Sequence, residues 1–399
     1  MSNGSETYDV AVVGLGAMGA AALYQLARRG VRAIGIDRDH PPHDRGSTHG
    51  ETRITRQAVG EGEAYMPLVL RAHDIWRELE AETGETLLTA CGCLIVGSGA
   101  GGAGTRRADF FATTRHAAEH FGIAHEMLSA AEIRYRFPQF TPQDHESGYF
   151  EPGGGYVDPE RCVSAQIRRA RELGATLRLG TTVRAITSDR HGVRIDTNEA
   201  GIILAAQVVV AAGSWAPALL GAPFDTILSP CRQVMHWFAI DDARLADWRR
   251  SPVFIWTHGP APSDMFYGFP ALPGQRVMKT AGEQYDVTTD PDHVERVVAA
   301  DEGTDMSAAH LAGRLAGLAS APERSVTCLY TVTPDSHFLI DRHPAHERVL
   351  VVSACSGHGF KHSAGIGAAV ADLTTTGISD LDLAPFSLAR RNAARAVSG

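Results

Sequence analysis

A strand, a glycine-rich turn and a helix fill the first thirty residues, and few folds accommodate that order. Tyr8 to Val13 is a short apolar run of β-branched character, and Gly14-Leu-Gly16-Ala-Met-Gly19 follows it directly. Met18, Ala22, Leu23 and Leu26 then recur at helical spacing, closed by Gly30. In such a turn the first glycine permits the tight bend, the second lets the backbone approach a pyrophosphate, and the third lets helix pack on strand. The helix N-terminus offers unpaired N–H groups to the anion. A second strand, Ala33 to Ile36, ends in Asp37, an acid at the spacing of a ribose hydroxyl contact. The unit predicts dinucleotide binding on a Rossmann-like parallel sheet, without choosing between NAD and FAD.

The chain has 399 residues, too many for one ordinary core and enough for two intertwined domains. Helical patterns at Met66 to Thr83, Arg107 to Phe121 and Pro159 to Leu173 alternate with short strands. β-type runs at Val234 to Ile240, Val253 to Thr257, Met265 to Phe269 and Arg276 to Thr280 predict an antiparallel substrate sheet. A last helix, Ser363 to Thr375, returns to the nucleotide domain. The expected division is 1–90, 150–220 and 325–399 for the nucleotide domain, with 91–149 and 221–324 for the substrate domain. Gly97 to Gly104 is the one low-complexity stretch and is expected to be a surface loop.

Composition narrows the function. A formal charge of −9 with scattered basic residues argues against nucleic acid. Apolar runs such as Ile202 to Ala212 fall far short of the roughly 20 residues that span a bilayer, so no membrane span is expected. The N-terminus carries no basic and apolar signal pattern, so a cytoplasmic protein is expected. Six dispersed cysteines make no disulfide framework. Cys91-Gly-Cys93 lacks a second ligand pair, and no metal is expected.

Further segments follow in a specific order: Pro41-Pro-His43, His49-Gly-Glu-Thr-Arg53-Ile-Thr-Arg56, Tyr267-Gly-Phe-Pro270, Cys328-Leu-Tyr330 with Asp335-Ser-His-Phe338, and Ser356-Gly-His-Gly-Phe-Lys361. With Gly14 to Gly19 they span nearly the whole chain, which resembles the monomeric sarcosine oxidase and N-methyltryptophan oxidase family of FAD amine oxidases. The resemblance implies an α/β fold: an FAD-binding, Rossmann-like domain of the glutathione-reductase type, interleaved with a smaller α+β substrate domain carrying an antiparallel sheet. Gln207 to Val210, ending in Gly213-Ser-Trp215, resembles the strand that brings a flavoprotein chain back under FAD.

The same resemblance implies roles. Cys328 would bind the flavin 8-methyl group as a thioether, making the FAD covalent, whereas Cys91, Cys93, Cys162, Cys231 and Cys355 are read as structural. Arg56 and Lys361 would hold the substrate carboxylate, a planar fork and a point charge together offsetting its desolvation. Lys361 lies between the apolar strand Val349 to Ser353 and an apolar helix, unlike an ordinary solvated lysine. Lys279 would activate O₂ by stabilising developing negative charge. His49 and Arg53 would tune the flavin environment, Thr52 would position their loop, and Tyr267 and Tyr330 would wall the amine pocket. Arg38, Ser47, Val183, Gly213, Trp215, Gly357, His358, Gly359 and Phe360 complete the implied cofactor set with Gly14, Gly16, Gly19 and Asp37.

Three positions depart from the family pattern. Glu283 stands where sarcosine oxidases have histidine, Thr48 precedes His49, and His362 replaces a phenylalanine after the lysine, which opens the size and charge of the substrate. Glu283 would face a polar or cationic substrate group or stand as a solvated loop residue. The expected reaction is hydride transfer from the carbon beside a neutral secondary amine to FAD, with O₂ reduced to H₂O₂ and the imine hydrolysed to amino acid and aldehyde. A cyclic imino acid or a larger N-methyl amine is the alternative substrate. An NAD(P)-dependent dehydrogenase and a catalytically silent flavin-binding protein are the rival functions. A monomer acting on a small amino acid and O₂ is expected.

Overall fold

The computed structural model describes residues 7–98, 110–198 and 201–390; most of the Gly97 to Gly104 loop lies outside them. An eight-stranded mixed sheet is built on Thr7–Val13, which pairs in parallel with Ala33–Ile36 on one side and Ile202–Val210 on the other. Thr176–Arg178 extends the first edge in parallel. The far edge of Ile202–Val210 is shared: Gly192–Thr197 runs antiparallel along its first half, and His346–Ser353 runs parallel along its second. Side chains of Thr7–Val13 alternate between two cores, Val10 and Val12 entering one and Ala11 and Val13 the other, as the period of a strand buried on both faces requires.

The first core lies under four helices. Ala17–Arg28 packs on Pro159–Glu172 and on Ser363–Thr375, which in turn packs on Met66–Thr83. Two of these helices end where the apolar periodicity placed them, Met66–Thr83 and Ser363–Thr375. Among the described residues no helix is long and apolar enough to cross a membrane.

A second eight-stranded sheet runs in the order Leu318–Val332, Ser229–Ile240, Val277–Gly282, Met265–Gly268, Val253–Thr257, Cys93–Gly97, Ser147–Glu151, Glu126–Ser129. Its pairs are antiparallel except Val253–Thr257 with Cys93–Gly97. One face buries Trp248, Trp256, Phe140, Phe254 and Phe266. The boundary expected near residue 325 falls inside the edge strand Leu318–Val332, which pairs with Ser229–Ile240 across register shifts around Pro322. A proline inside a strand is tolerated at an irregular edge.

The nucleotide turn is as tight as its glycines demand. Gly14 has φ +86°, and a Cβ there would lie 2.5 Å from the Ala211 carbonyl oxygen; a Cβ on Gly19 would lie 1.7 Å from the Gly14 carbonyl oxygen. Neither contact can relax without moving helix from strand. Gly19→Ala should therefore cost about 3 kcal/mol or more and lower FAD content, read by thermal denaturation and by flavin absorbance of the purified protein.

Candidate active site

Two cavities meet on one wall. The larger, about 380 Å³, opens between the Gly14–Gly16 turn and the second sheet. The smaller, about 120 Å³, lies beyond it, and Arg53, Tyr330, Gly357 and Phe360 line both.

Gly14, Gly16, Asp37, Arg38, Ser47, Val183, Gly213, Trp215, Gly357, Gly359 and Phe360 line the large cavity. Asp37 is fixed from both sides: Oδ2 accepts the Leu15 N–H at 2.7 Å and Oδ1 the Asp39 N–H at 2.8 Å. At the rim the Arg38 guanidinium lies 4.9 Å from the Trp215 ring centroid, and both residues donate to Asp292 Oδ1 at 2.8 Å. Thr48, one of the three residues departing from the family pattern, lines this cavity too, its Oγ1 accepting the Ala17 N–H at 3.3 Å. These residues fit FAD. The volume is that of a cofactor site, the strand-turn-helix brings Gly14 and Gly16 to the cavity wall, and Ser353 on that wall has a buried Oγ without a hydrogen-bond partner.

Gly19, His49, Thr52, Lys279 and Cys328 do not line either cavity. Gly19 closes helix on strand, and the others stand behind Arg53. Arg53 donates to the Ser47 carbonyl at 2.6 Å and the Thr52 carbonyl at 2.9 Å, and lies 3.8 Å from Cys328 Sγ. Lys279 is buried, its Nζ donating to the Gly50 carbonyl at 2.6 Å, the Thr52 carbonyl at 2.8 Å and Thr52 Oγ1 at 3.2 Å. Thr52 thus holds the lysine and does not face the cofactor cavity. Glu160, from the helix Pro159–Glu172, accepts the Gly50 and Glu51 N–H groups and anchors this loop. Burial pushes the Lys279 ammonium well below its usual pKa, with Arg53 adding to the effect. Burial first, then Arg53 and Lys279, pushes His49 down to about 3, so its imidazole is neutral at working pH. Burial pushes the Cys328 thiol up, opposed by Arg53. Cys328 and Tyr330 share one face of the strand because they are two residues apart.

Arg56 and Lys361 meet in the small cavity although 305 positions separate them in sequence (361 − 56). The residue that joins them was invisible in the sequence. Glu61, with its side chain 6% exposed, accepts from Arg56 through Oε2 at 2.9 Å and from Lys361 through Oε1 at 2.6 Å. Arg56 lies 5.0 Å from the Phe110 ring, and its Nε is buried without a hydrogen-bond partner. Buried Glu151 fixes the backbone just beyond Arg56 by accepting from the Gln57 N–H at 2.6 Å and the Ala58 N–H at 3.1 Å. A polar residue in a glycine-rich loop is no signal of an ion pair, so Glu61 could be found only in three dimensions.

Tyr267, Tyr330, Glu283 and His358 complete the cavity wall, joined by Tyr285, which sequence reading passed over. Tyr285 Oη donates to Glu283 Oε2 at 2.6 Å. Glu283 is a half-buried loop residue just past the strand Val277–Gly282, and it lines the cavity. Burial raises both the Tyr267 and Tyr330 phenols, leaving neutral hydroxyls. His362 lines neither cavity. It is buried among the rings of Tyr65, Phe338 and His358, and burial, then Lys361, pushes it well below its usual pKa. It fills an aromatic niche as a neutral ring.

The model of the family described as FAD dependent oxidoreductase matches residues 9–373. A monomeric sarcosine oxidase of Streptomyces avermitilis is 38% identical, covering 98% of this chain and 100% of that protein. An N-methyl-L-tryptophan oxidase of Yersinia pestis is 36% identical over 96% of this chain and 99% of its own. Among solved structures, the open form of NikD, an unusual amino acid oxidase essential for nikkomycin biosynthesis, superposes with a TM-score of 0.80 at 25% identity, covering 96% of this chain and 98% of that one.

Proposed function

The chain belongs to the FAD dependent oxidoreductase family, and from that premise we propose that it oxidises a secondary-amine amino acid, sarcosine or another small N-methyl amino acid, with O₂ as final acceptor. The observation that carries this reading is the buried pair of cations, Arg56 and Lys361, in a small aromatic-walled cavity that shares Arg53, Tyr330, Gly357 and Phe360 with the cofactor cavity.

Gly14, Gly16, Asp37, Arg38, Val183, Gly213 and Trp215 would hold FAD, with Cys328, whose Sγ lies directly behind the cavity wall 3.7 Å from the Ser47 carbonyl, as the covalent anchor through the flavin 8-methyl group. Bound FAD would supply the acceptor for a hydride from the substrate carbon beside nitrogen and the means of passing both electrons to O₂ as H₂O₂. Arg56 and Lys361 would bind the substrate carboxylate by charge-assisted hydrogen bonds, which are strong where water is excluded. Until then Glu61 neutralises part of their charge. The amine must be unprotonated to assist loss of hydride. Arg53, Arg56 and Lys361 along this wall repel the ammonium form and so favour the neutral amine, opposed by the carboxylates of Glu61 and Glu283. Tyr267 and Tyr330 would flank the amine and keep water from the reacting carbon. The imine product would hydrolyse in solution to amino acid and aldehyde.

The small volume favours sarcosine and small cyclic imino acids over an indole side chain. Oxygen uptake with sarcosine, larger N-methyl amino acids and cyclic imino acids ranks these substrates, and formaldehyde should appear with every N-methyl substrate. The covalent link has its own test. Yellow colour should stay with acid-precipitated, unfolded protein, whereas Cys328→Ser should release all its flavin to the supernatant. A colourless pellet from the parent enzyme would refute the thioether.

A further inference from the structure

His116 and His120 lie one turn apart on the helix Phe110–His120 and present their rings on one exposed face, with centroids 6.2 Å apart. Glu63, in the 3₁₀ turn Glu63–Tyr65, places a single carboxylate oxygen between them. Its Oε1 is 2.9 Å from His120 Nδ1 and 3.4 Å from His116 Nε2. All three ligand atoms lie within 4.8 Å of one another. In tetrahedral zinc sites, with bonds of about 2.0–2.2 Å, neighbouring ligand atoms stand about 3.4 Å apart, so the arrangement is already near the spacing of a bound ion. A surface ion pair needs only one of the two rings, and the second is left unexplained by it.

We propose that Glu63, His116 and His120 form a binding site for a divalent transition-metal ion of the zinc class, with water completing the coordination. Two imidazoles and one carboxylate suit Zn²⁺, Ni²⁺ or Cu²⁺ and discriminate against Mg²⁺ and Ca²⁺, which take oxygen ligands. Sequence reading expected no metal on the ground of Cys91 and Cys93 alone; Glu63 stands 53 positions before His116 (116 − 63), and nothing local in the sequence joins them.

The location gives the site a consequence. Glu63 is two residues from Glu61, which holds Arg56 and Lys361, and Phe110 at the other end of the helix packs on Arg56 and lines the small cavity. Gly60 sits beneath the same helix, where an added Cβ would lie 2.5 Å from Thr114 Oγ1. A metal ion would pin this helix to the segment Gly60–Tyr65 and stiffen one wall of the substrate cavity.

The test uses the full-length flavin-loaded protein, without a histidine tag and stripped of metal by a chelator, titrated calorimetrically with ZnCl₂ and CoCl₂. One saturable site per chain is expected, with no matching response to MgCl₂, together with a rise in melting temperature on adding Zn²⁺. His116→Ala, His120→Ala and Glu63→Gln should each weaken Zn²⁺ binding by at least the roughly tenfold that loss of an outer-shell partner costs, and should abolish the thermal shift. His120→Asn, which keeps a polar partner for Glu63, serves where alanine impairs folding. Absence of saturable binding, or equal affinity in parent and histidine variants, would overturn the site. Binding is read without turnover, so the result stands apart from the oxidase reading.

Discussion

Replacing Lys279 by Met should slow reoxidation of the reduced enzyme by O₂ by on the order of 10²–10³-fold, while reduction by substrate changes by less than about threefold. The buried Nζ is held by three neutral oxygens, from Gly50 and Thr52. Trp237 and Phe269 lie around it at 5.6 and 4.7 Å. Its hydrogen bonds therefore go to no carboxylate, and its charge is available to stabilise negative charge that develops only when O₂ is reduced. The pH dependence follows from the lowered pKa. The ammonium form is present below that pKa and lost above it, so reoxidation should fall as pH rises through it, and the Met variant should be flat. Stopped-flow measurement separates the two half-reactions. Equal slowing of both would make Lys279 a structural or substrate-binding residue.

Arg56→Ala and Lys361→Ala should each weaken binding of a simple carboxylate such as acetate by about 10–100-fold, the range of one charge-assisted hydrogen bond. The double variant should lose less than the product of the two, because one remaining cation already holds a misplaced ligand. Glu61→Gln should act in the opposite direction. In the structure Glu61 accepts from both cations, and removing its charge leaves less negative charge beside them to oppose the ligand carboxylate. Absorbance titration gives the dissociation constants. Unchanged affinity in the two alanine variants would remove the carboxylate clamp, and the amino-acid substrate class with it.

Features governed by local rules were legible in the sequence. The strand-turn-helix at Gly14 to Gly19, the acid at Asp37 and the helices Met66–Thr83 and Ser363–Thr375 follow from turn chemistry and apolar periodicity, and they stand where these placed them. The parallel pairing of Val253–Thr257 with Cys93–Gly97 was not legible, because register between distant strands leaves no local trace. The same holds at the site. Arg56 and Lys361 were found by resemblance, but Glu61, Glu151, Glu160 and Tyr285 each also bond to a segment 71 to 300 positions away. His362 shows the converse. A change that looks like altered polarity is a neutral ring in an aromatic niche, and only burial reveals it.

The most direct test is anaerobic addition of sarcosine to the purified yellow protein, followed by its visible spectrum. The account predicts bleaching of the flavin band at a rate that saturates with sarcosine, recovery of the colour with formation of H₂O₂ when air is admitted, and little or no bleaching by sarcosine methyl ester, which cannot engage Arg56 and Lys361. A protein without visible flavin absorbance, or one bleached equally by acid and ester, would contradict it.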